Sequence, residues 1–340
     1  MVDRRSLAIG VFAVVVAMSG VTTWGQAPAA PAPAAPAGGG QGPGGPGRGA
    51  PGGRGGGFGR GATAFTPAPG AKDLKSVLYN WTWHMGMLRS GAESELIKTL
   101  DYNAAGGTIQ VDGQPCTLTK YRLQINYQIP GSRTQFECTR ANGQKYSNVE
   151  TMSGDYAWDE DIPGAELVAG KGKATPKPAT LDERRIRLWA SPQGAPKAAI
   201  AGAAGLPTAE SFGQNPATLL DRQAAAGAKP TTTLTWQGEK AVVTFPIPGV
   251  AGAVATATLD SGYLPERVVV KSGTNTTEFV YTDFQDFNNP LFKIEALYPS
   301  TMVERRNGTV VRTVNAKVTE IGQVYVIMPV PDSVRKAAGK

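Results

Sequence analysis

The residues that could do chemistry in this chain are few and scattered. His84 is the only histidine among 340 residues. A catalytic serine needs a base, and a zinc site needs several converging nitrogen, sulfur or oxygen ligands. One histidine cannot serve both, and beside Trp83 and Met85 it reads as a packed or half-exposed helix residue. Three short acidic clusters stand out. Asp159-Glu160-Asp161 could offer oxygens to calcium, but it lacks the spacing of a calcium loop and reads as a solvated turn. Asp182-Glu183-Arg184-Arg185 reads as a helix start that complements its dipole, with exposed ion pairs along the helix. Asp283 and Asp286 flank aromatics in YTDFQDF, where two carboxylates could form an acid–base pair, yet a strand end turning into a loop explains them and is the reading taken. These residues imply no enzyme, no metal and no cofactor.

What remains is apolar. Trp81, Trp83, Trp158, Trp189 and Trp236 form a heavy aromatic load. They are either core or the walls of a crevice suited to an apolar or sugar ligand. Trp81 and Trp189 each lie on the apolar side of a helix and are the expected crevice walls, with Leu188 and Phe279 beside them.

The elements that must position these side chains are legible from period and punctuation. LKSVLYNWTWHMGML repeats apolar residues at helical steps, from Leu74 through Val77, Leu78, Trp81 and Met85 to Leu88, and Asp73 suits its first turn. ELIKTLDYNA, GTIQV and TLTKYRLQINYQI then alternate as strands. In the last, Leu118, Lys120, Arg122, Gln124 and Asn126 share one face and Thr119, Tyr121, Leu123, Ile125 and Tyr127 the other. Pro130-Gly131 and Asn142-Gly143 turn the chain into RTQFECTR, KYSNVETMSG and YAWDED, an antiparallel meander. Gly164 to Pro178 is a Lys/Gly/Pro loop. LDERRIRLWA, APKAAIAGAA and PATLLDRQAAAG are helical, the last starting at Asn215-Pro216. Strands resume with TTTLTWQ, KAVVTFPI, AVATATL, ERVVVKS and TTEFVYTDF. A kink at Asn288-Asn289-Pro290 leads to FKIEALYPSTMVERR, the tight turn Asn307-Gly308, TVVRTVNAKVTEI and QVYVIMPVP.

The order helix, strands, helices, strands predicts an α+β fold. About ten strands must curl or close partway. We expect a large curved antiparallel sheet, a half-open barrel, with the helices around 74–88, 182–190 and 195–204 on its concave face.

The N-terminus carries no core. Arg4-Arg5, an apolar run from Leu7 to Met18 and small residues up to Gly25-Gln26-Ala27 predict a signal peptide over 1–26. The apolar run is shorter than the roughly 20 residues of a spanning helix, so an uncleaved anchor is the lesser reading. Arg4-Arg5 matches a twin-arginine signal weakly. Residues 27–70 are Ala/Pro- and then Gly/Pro/Arg-rich, a composition that cannot offset its own ordering entropy and predicts a disordered linker. Residues 71–338 form a single β-rich domain. The formal charge of +7 owes much to Arg48, Arg54 and Arg60 in the linker, so it marks no nucleic-acid-binding face. Those arginines suit weak contact with an anionic envelope surface. Export to the periplasm or outside the cell follows, and an oxidising compartment favours a Cys116–Cys138 disulfide over two buried thiols.

Three stretches carry a family resemblance: SGDYAWDEDIPG from Ser153, LDERRIRLWASPQGAPKAA from Leu181, and YTDFQDFNNPLF from Tyr281. With the helix at 74–88, their order resembles the N-terminal, non-catalytic β domain of secreted bacterial metallo-β-lactamase-fold hydrolases. It is similar, more distantly, to the lipoprotein-carrier (LolA/LolB-like) superfamily. The zinc motif His-x-His-x-Asp-His of those hydrolases is absent, so no zinc ligand and no hydrolase activity carry over. The lipoprotein-carrier resemblance implies a half-open barrel closed by helices over a crevice that takes acyl chains. The expectation is an exported binding module for a lipid or other apolar molecule; the alternative is a tethered scaffold domain with a packed core and no ligand.

Overall fold

Two antiparallel meanders share one sheet, and four helices lie in the connection between its two edges. The computed structural model describes residues 65–88, 97–286, 296–320 and 326–339. The signal peptide expected over 1–26, most of the expected linker and the kink expected at Asn288-Asn289-Pro290 lie outside the described residues.

Helix α1 spans Leu74–His84 and is capped by Asp73, whose carboxylate accepts from the Ser76 amide at 3.0 Å. The first meander follows as β1 (Thr99–Val111), β2 (Gln114–Asn126), β3 (Gly131–Arg140), β4 (Lys145–Ser153), β5 (Tyr156–Glu160) and β6 (Ala174–Pro176). Four helices come next: α2 (Leu181–Ala190), α3 (Gly194–Ala204), α4 (Thr208–Ser211) and α5 (Pro216–Ala225). The second meander is β7 (Thr233–Gln237), β8 (Lys240–Pro246), β9 (Val254–Leu259), β10 (Pro265–Ser272), β11 (Asn275–Asp286), β12 (Leu297–Arg306) and β13 (Thr309–Glu320). A short helix α6, Asp332–Ala337, ends the described chain. Among the described residues the strands form one thirteen-stranded sheet, ordered β6-β5-β4-β3-β2-β1-β13-β12-β11-β10-β9-β8-β7.

This order explains where the helices sit. The first meander ends at one edge, β6, and the second begins at the other, β7. The segment α2–α5 joins those edges and must cross a face of the sheet. Helix α2 packs against β3, β4 and β5 and also against β10, strands far apart in the order, so the sheet curls around it. The expected curved antiparallel sheet with helices in its hollow is thus the observed fold, and the sheet is not a closed barrel.

Bulges help the curl. The stretches ELIKTLDYNA and GTIQV, expected as separate strands, are one strand β1 whose register slips between Asn103 and Gly107. Gly107 has φ +112°, and a Cβ there would stand 2.0 Å from the Thr313 carbonyl oxygen, so only glycine fits. The regular alternation expected for β2 also fails. Pairing with β3 slips between Leu118 and Lys120, so Cys116 and Leu118 lie on the same buried side as Tyr121 and Ile125.

Helix α3 is buried along its whole length and reads as a run of small residues for that reason. A Cβ on Gly194 would meet the Leu188 carbonyl oxygen at 2.1 Å. Lys197, the cation of this helix, lies over the Tyr127 and Phe212 rings at 5.1 and 4.9 Å.

Three short elements escaped the sequence reading. Strand β6 sits inside the expected Lys/Gly/Pro loop, and α4 and α6 were not anticipated. The expected strand QVYVIMPVP is not one where described: 326–331 is irregular and leads into α6. Pro329 and Pro331 remove the amides a strand would donate. The segment instead caps a second small core, where Val326, Met328 and Val334 cover Trp158, and the Asn126 side-chain amide donates to Val326 O at 2.8 Å. Residues 65–70 belong to the stretch read as linker, yet Phe65 packs edge-on against Tyr79 at 5.2 Å.

The two cysteines are joined. Cys116 on β2 and Cys138 on β3 are bridged with their Cα atoms 5.5 Å apart, diagonal neighbours on the buried side.

Candidate functional site

The hollow between the sheet and α2 is not completely filled. A cavity of about 70 Å³ lies there, with walls from β2, β3, β4, α2 and β11–β13. Leu123, Ile125, Leu188, Phe279, Met302 and Val314 give it an apolar side. Leu188 comes from the helix and Phe279 from the sheet, so two of the four expected crevice residues face the same space. The other two do not line it. Trp81 is 0 % exposed and packs against Phe245 at 6.4 Å, under α1. Trp189 is 2 % exposed, lies beside Tyr127 at 6.4 Å, and borders a hollow of about 10 Å³ next to Phe212. Each was assigned by its helix face, and each does face inward; the inside at those points is filled.

The opposite side of the cavity is charged, which the sequence reading missed. Arg187 on α2 donates from Nε to Glu304 on β12 at 3.0 Å and from Nη1 to Glu150 on β4 at 3.3 Å. Arg312 on β13 donates to the same Glu150 oxygen at 3.3 Å. Arg306 on β12 bridges Glu304 at 2.9 Å and Glu183 on α2 at 2.7 Å. Glu304 is 4 % exposed and Arg312 6 %. Burial alone would raise the Glu304 carboxyl, but Arg187, Arg312 and Arg306 outweigh it and hold it at about 2. Glu150 is likewise lowered: burial opposes, Arg187 and Arg312 prevail. Beyond these groups a solvent-open groove of about 270 Å³ shares Glu150, Arg187 and Arg312 with the inner cavity. The ion network therefore stands between the apolar space and water.

The acidic clusters singled out from sequence are tied to this architecture. Arg184, expected in an exposed pair, is buried: it donates to Thr151 O at 2.7 Å, to Trp158 O at 2.6 Å and to Asp159 at 2.5 Å. Glu160, expected in a solvated turn, is buried too. It accepts from Trp158 Nε1 at 2.8 Å, Arg133 at 3.2 Å and the Gly164 amide at 2.6 Å. A signal for Arg184 was present, since it shares the helix face of Leu181 and Leu188, three and four residues away. His84 stacks on Tyr263 at 5.9 Å and approaches neither the cavity nor the ion network as a lining residue.

A group of tyrosines completes the cavity. Tyr281 donates to Ala190 O at 2.6 Å, and the Tyr127 hydroxyl meets Ser191 Oγ at 2.9 Å. Tyr298 stacks at a tilt on Tyr102, 4.6 Å away. Burial raises Tyr281 and Tyr298 well above the ordinary phenol range, with neighbouring tyrosines adding to it, so both are neutral hydroxyls.

No protein-family model matches this sequence, and no curated protein matches it either. Neither comparison supports the resemblance to the metallo-β-lactamase-fold hydrolases. Among solved structures, an outer membrane lipoprotein-sorting protein domain from Vibrio parahaemolyticus aligns with a TM-score of 0.35 and 8 % identity, covering 72 % of this chain and 91 % of that one. At that distance the functional reading rests on the geometry. Among the described residues no helix is long and apolar enough to cross a membrane.

Proposed function

We propose that the domain is an exported, non-catalytic binding module that holds an apolar or amphipathic molecule, such as a lipid, between its sheet and α2. One observation carries this reading: the cavity is lined from both sides, by Leu188 of the helix and Phe279 of the sheet, and it adjoins an open groove. The disulfide suits an oxidising compartment, periplasmic or extracellular. Small-molecule pockets usually reach roughly 300 Å³ or more. The ligand must therefore displace α2 outward or insert only part of itself.

Native mass spectrometry of the full chain purified from its own cell envelope tests for a retained lipid. Titration with 1-alkanols from hexanol to decanol, read by tryptophan fluorescence, tests the crevice directly. Each methylene buried should add about 0.8 kcal/mol, and salt should matter little. A flat series with no co-purified lipid would sink the reading. The second reading, a scaffold domain with a packed core, is favoured by the small cavity and by the close packing of Trp81 and Trp189. It would then stand.

A further inference from the structure

Two hydrogen-bond donors on the cavity wall have nothing to donate to. The Tyr298 hydroxyl is buried without a partner, on a residue 0 % exposed. The Arg312 Nε is buried without a hydrogen bond as well; its nearest carboxylate, Glu304, stands 3.8 Å away. Both residues line the cavity. An orphaned buried donor has given up its water without gaining a partner, so a ligand that brings an acceptor oxygen regains that lost bond on binding. The same donors give a pure hydrocarbon nothing.

The charges decide which oxygen. Each arginine on the cavity wall already holds a carboxylate: Arg184 holds Asp159, Arg187 holds Glu150 and Glu304, and Arg312 holds Glu150. Lys177 adds a further positive charge 3.8 Å from Asp159, but from a half-exposed position where water screens it. A carboxylate would add an unmatched buried charge beside Glu150 and Glu304, whereas a neutral carbonyl accepts the hydrogen bonds and adds no charge.

Resting on the binding reading above, we infer that the crevice selects an apolar molecule carrying a neutral carbonyl oxygen, as in an ester, amide or ketone, and discriminates against the free carboxylic acid. The Tyr298 hydroxyl is the principal donor and Arg312 the second.

The test titrates the full chain with methyl octanoate, 2-decanone, octanoate and nonane at pH 7.5, in wild type and in Tyr298→Phe, which keeps the ring and its packing on Tyr102. Methyl octanoate or 2-decanone should bind at least ten-fold tighter than octanoate, and the better of the two identifies the carbonyl type. The carbonyl-over-nonane ratio should fall at least five-fold in Tyr298→Phe. Because that ratio is measured within each protein, a general change in stability cancels. Octanoate binding as tightly as the ester would overturn the charge argument. An unchanged ratio in Tyr298→Phe would remove Tyr298 as donor and leave its hydroxyl to water. Binding of nonane and the carbonyl compounds with equal affinity would reject the inference while leaving the crevice intact; no binding of any probe would reject the crevice itself.

Discussion

Replacing Glu304 by glutamine should unfold the energetics of the cavity wall. The side chain is almost fully buried and faces three guanidinium groups, Arg187 at 3.0 Å, Arg306 at 2.9 Å and Arg312 at 3.8 Å. Its carboxyl is held at about 2 against an ordinary 4.5, the arginines overcoming the opposing effect of burial. A difference of that size corresponds to about 3 kcal/mol between the charged and neutral forms. Glutamine imitates the neutral form in shape, so Glu304→Gln should cost about 3 kcal/mol, matching the roughly 3–5 kcal/mol typical of breaking a buried pair from one side. The sign with pH follows from the lowered value. The contribution is fully present above about 4.5 and is lost as pH falls from there towards about 2. Urea unfolding at pH 7 measures the first effect, as a lower midpoint at unchanged slope. Repeating it from pH 5 to pH 2.5 measures the second: wild type should converge on the variant as acid removes the charge the variant never had. A cost below about 1 kcal/mol at pH 7, or parallel acid curves for the two proteins, would refute the reasoning.

The remaining predictions concern the frame. Cys116→Ser with Cys138→Ser should lower stability by about 3 kcal/mol in the chain-entropy model for a loop of this length, read from thermal unfolding; no change would mean the bridge is not formed in the purified protein. Gly107→Ala should destabilise by more than about 1 kcal/mol, because its Cβ collides with the Thr313 carbonyl and its φ is left-handed; amide exchange should locate the loss at the β1–β13 seam. The alkanol series and the Tyr298→Phe titration test the crevice as described above.

Much of the fold was legible because its signals are local. Asn307-Gly308 makes a tight turn with both residues at positive φ, and Asn215-Pro216 caps α5, as their types dictate. What escaped depends on partners. The bulge in β2 left a trace in the sequence, since the apolar positions step from Leu118 to Tyr121 by three rather than two. Strand β6 is three residues long and exists only because β5 offers it an edge. The crevice was half legible. A helix face shows which way Trp81, Leu188 and Trp189 point, but whether that direction ends in a void or in Phe245 depends on the far wall. The ion network was hidden because each member looks like a surface charge until the curl brings it opposite its partner.

The network in fact reports that curl. Glu150 lies on β4 and Arg312 on β13, four positions apart in the sheet order. At about 4.8 Å per strand, a flat sheet would separate them by roughly 19 Å. That is beyond what an arginine and a glutamate can span together, yet their tips are 3.3 Å apart. The sheet must bend for the pair to form, and Arg187 on α2 fixes how far by holding Glu150 on one side and Glu304 on the other. Long side chains joined at their tips act as struts: they set the distance across the hollow at one end. Apolar residues there would draw the walls together until they touched. The charges therefore account for the space left between Leu188 and Phe279, and for why this space lies on the inner side of the network rather than at the sheet's rim.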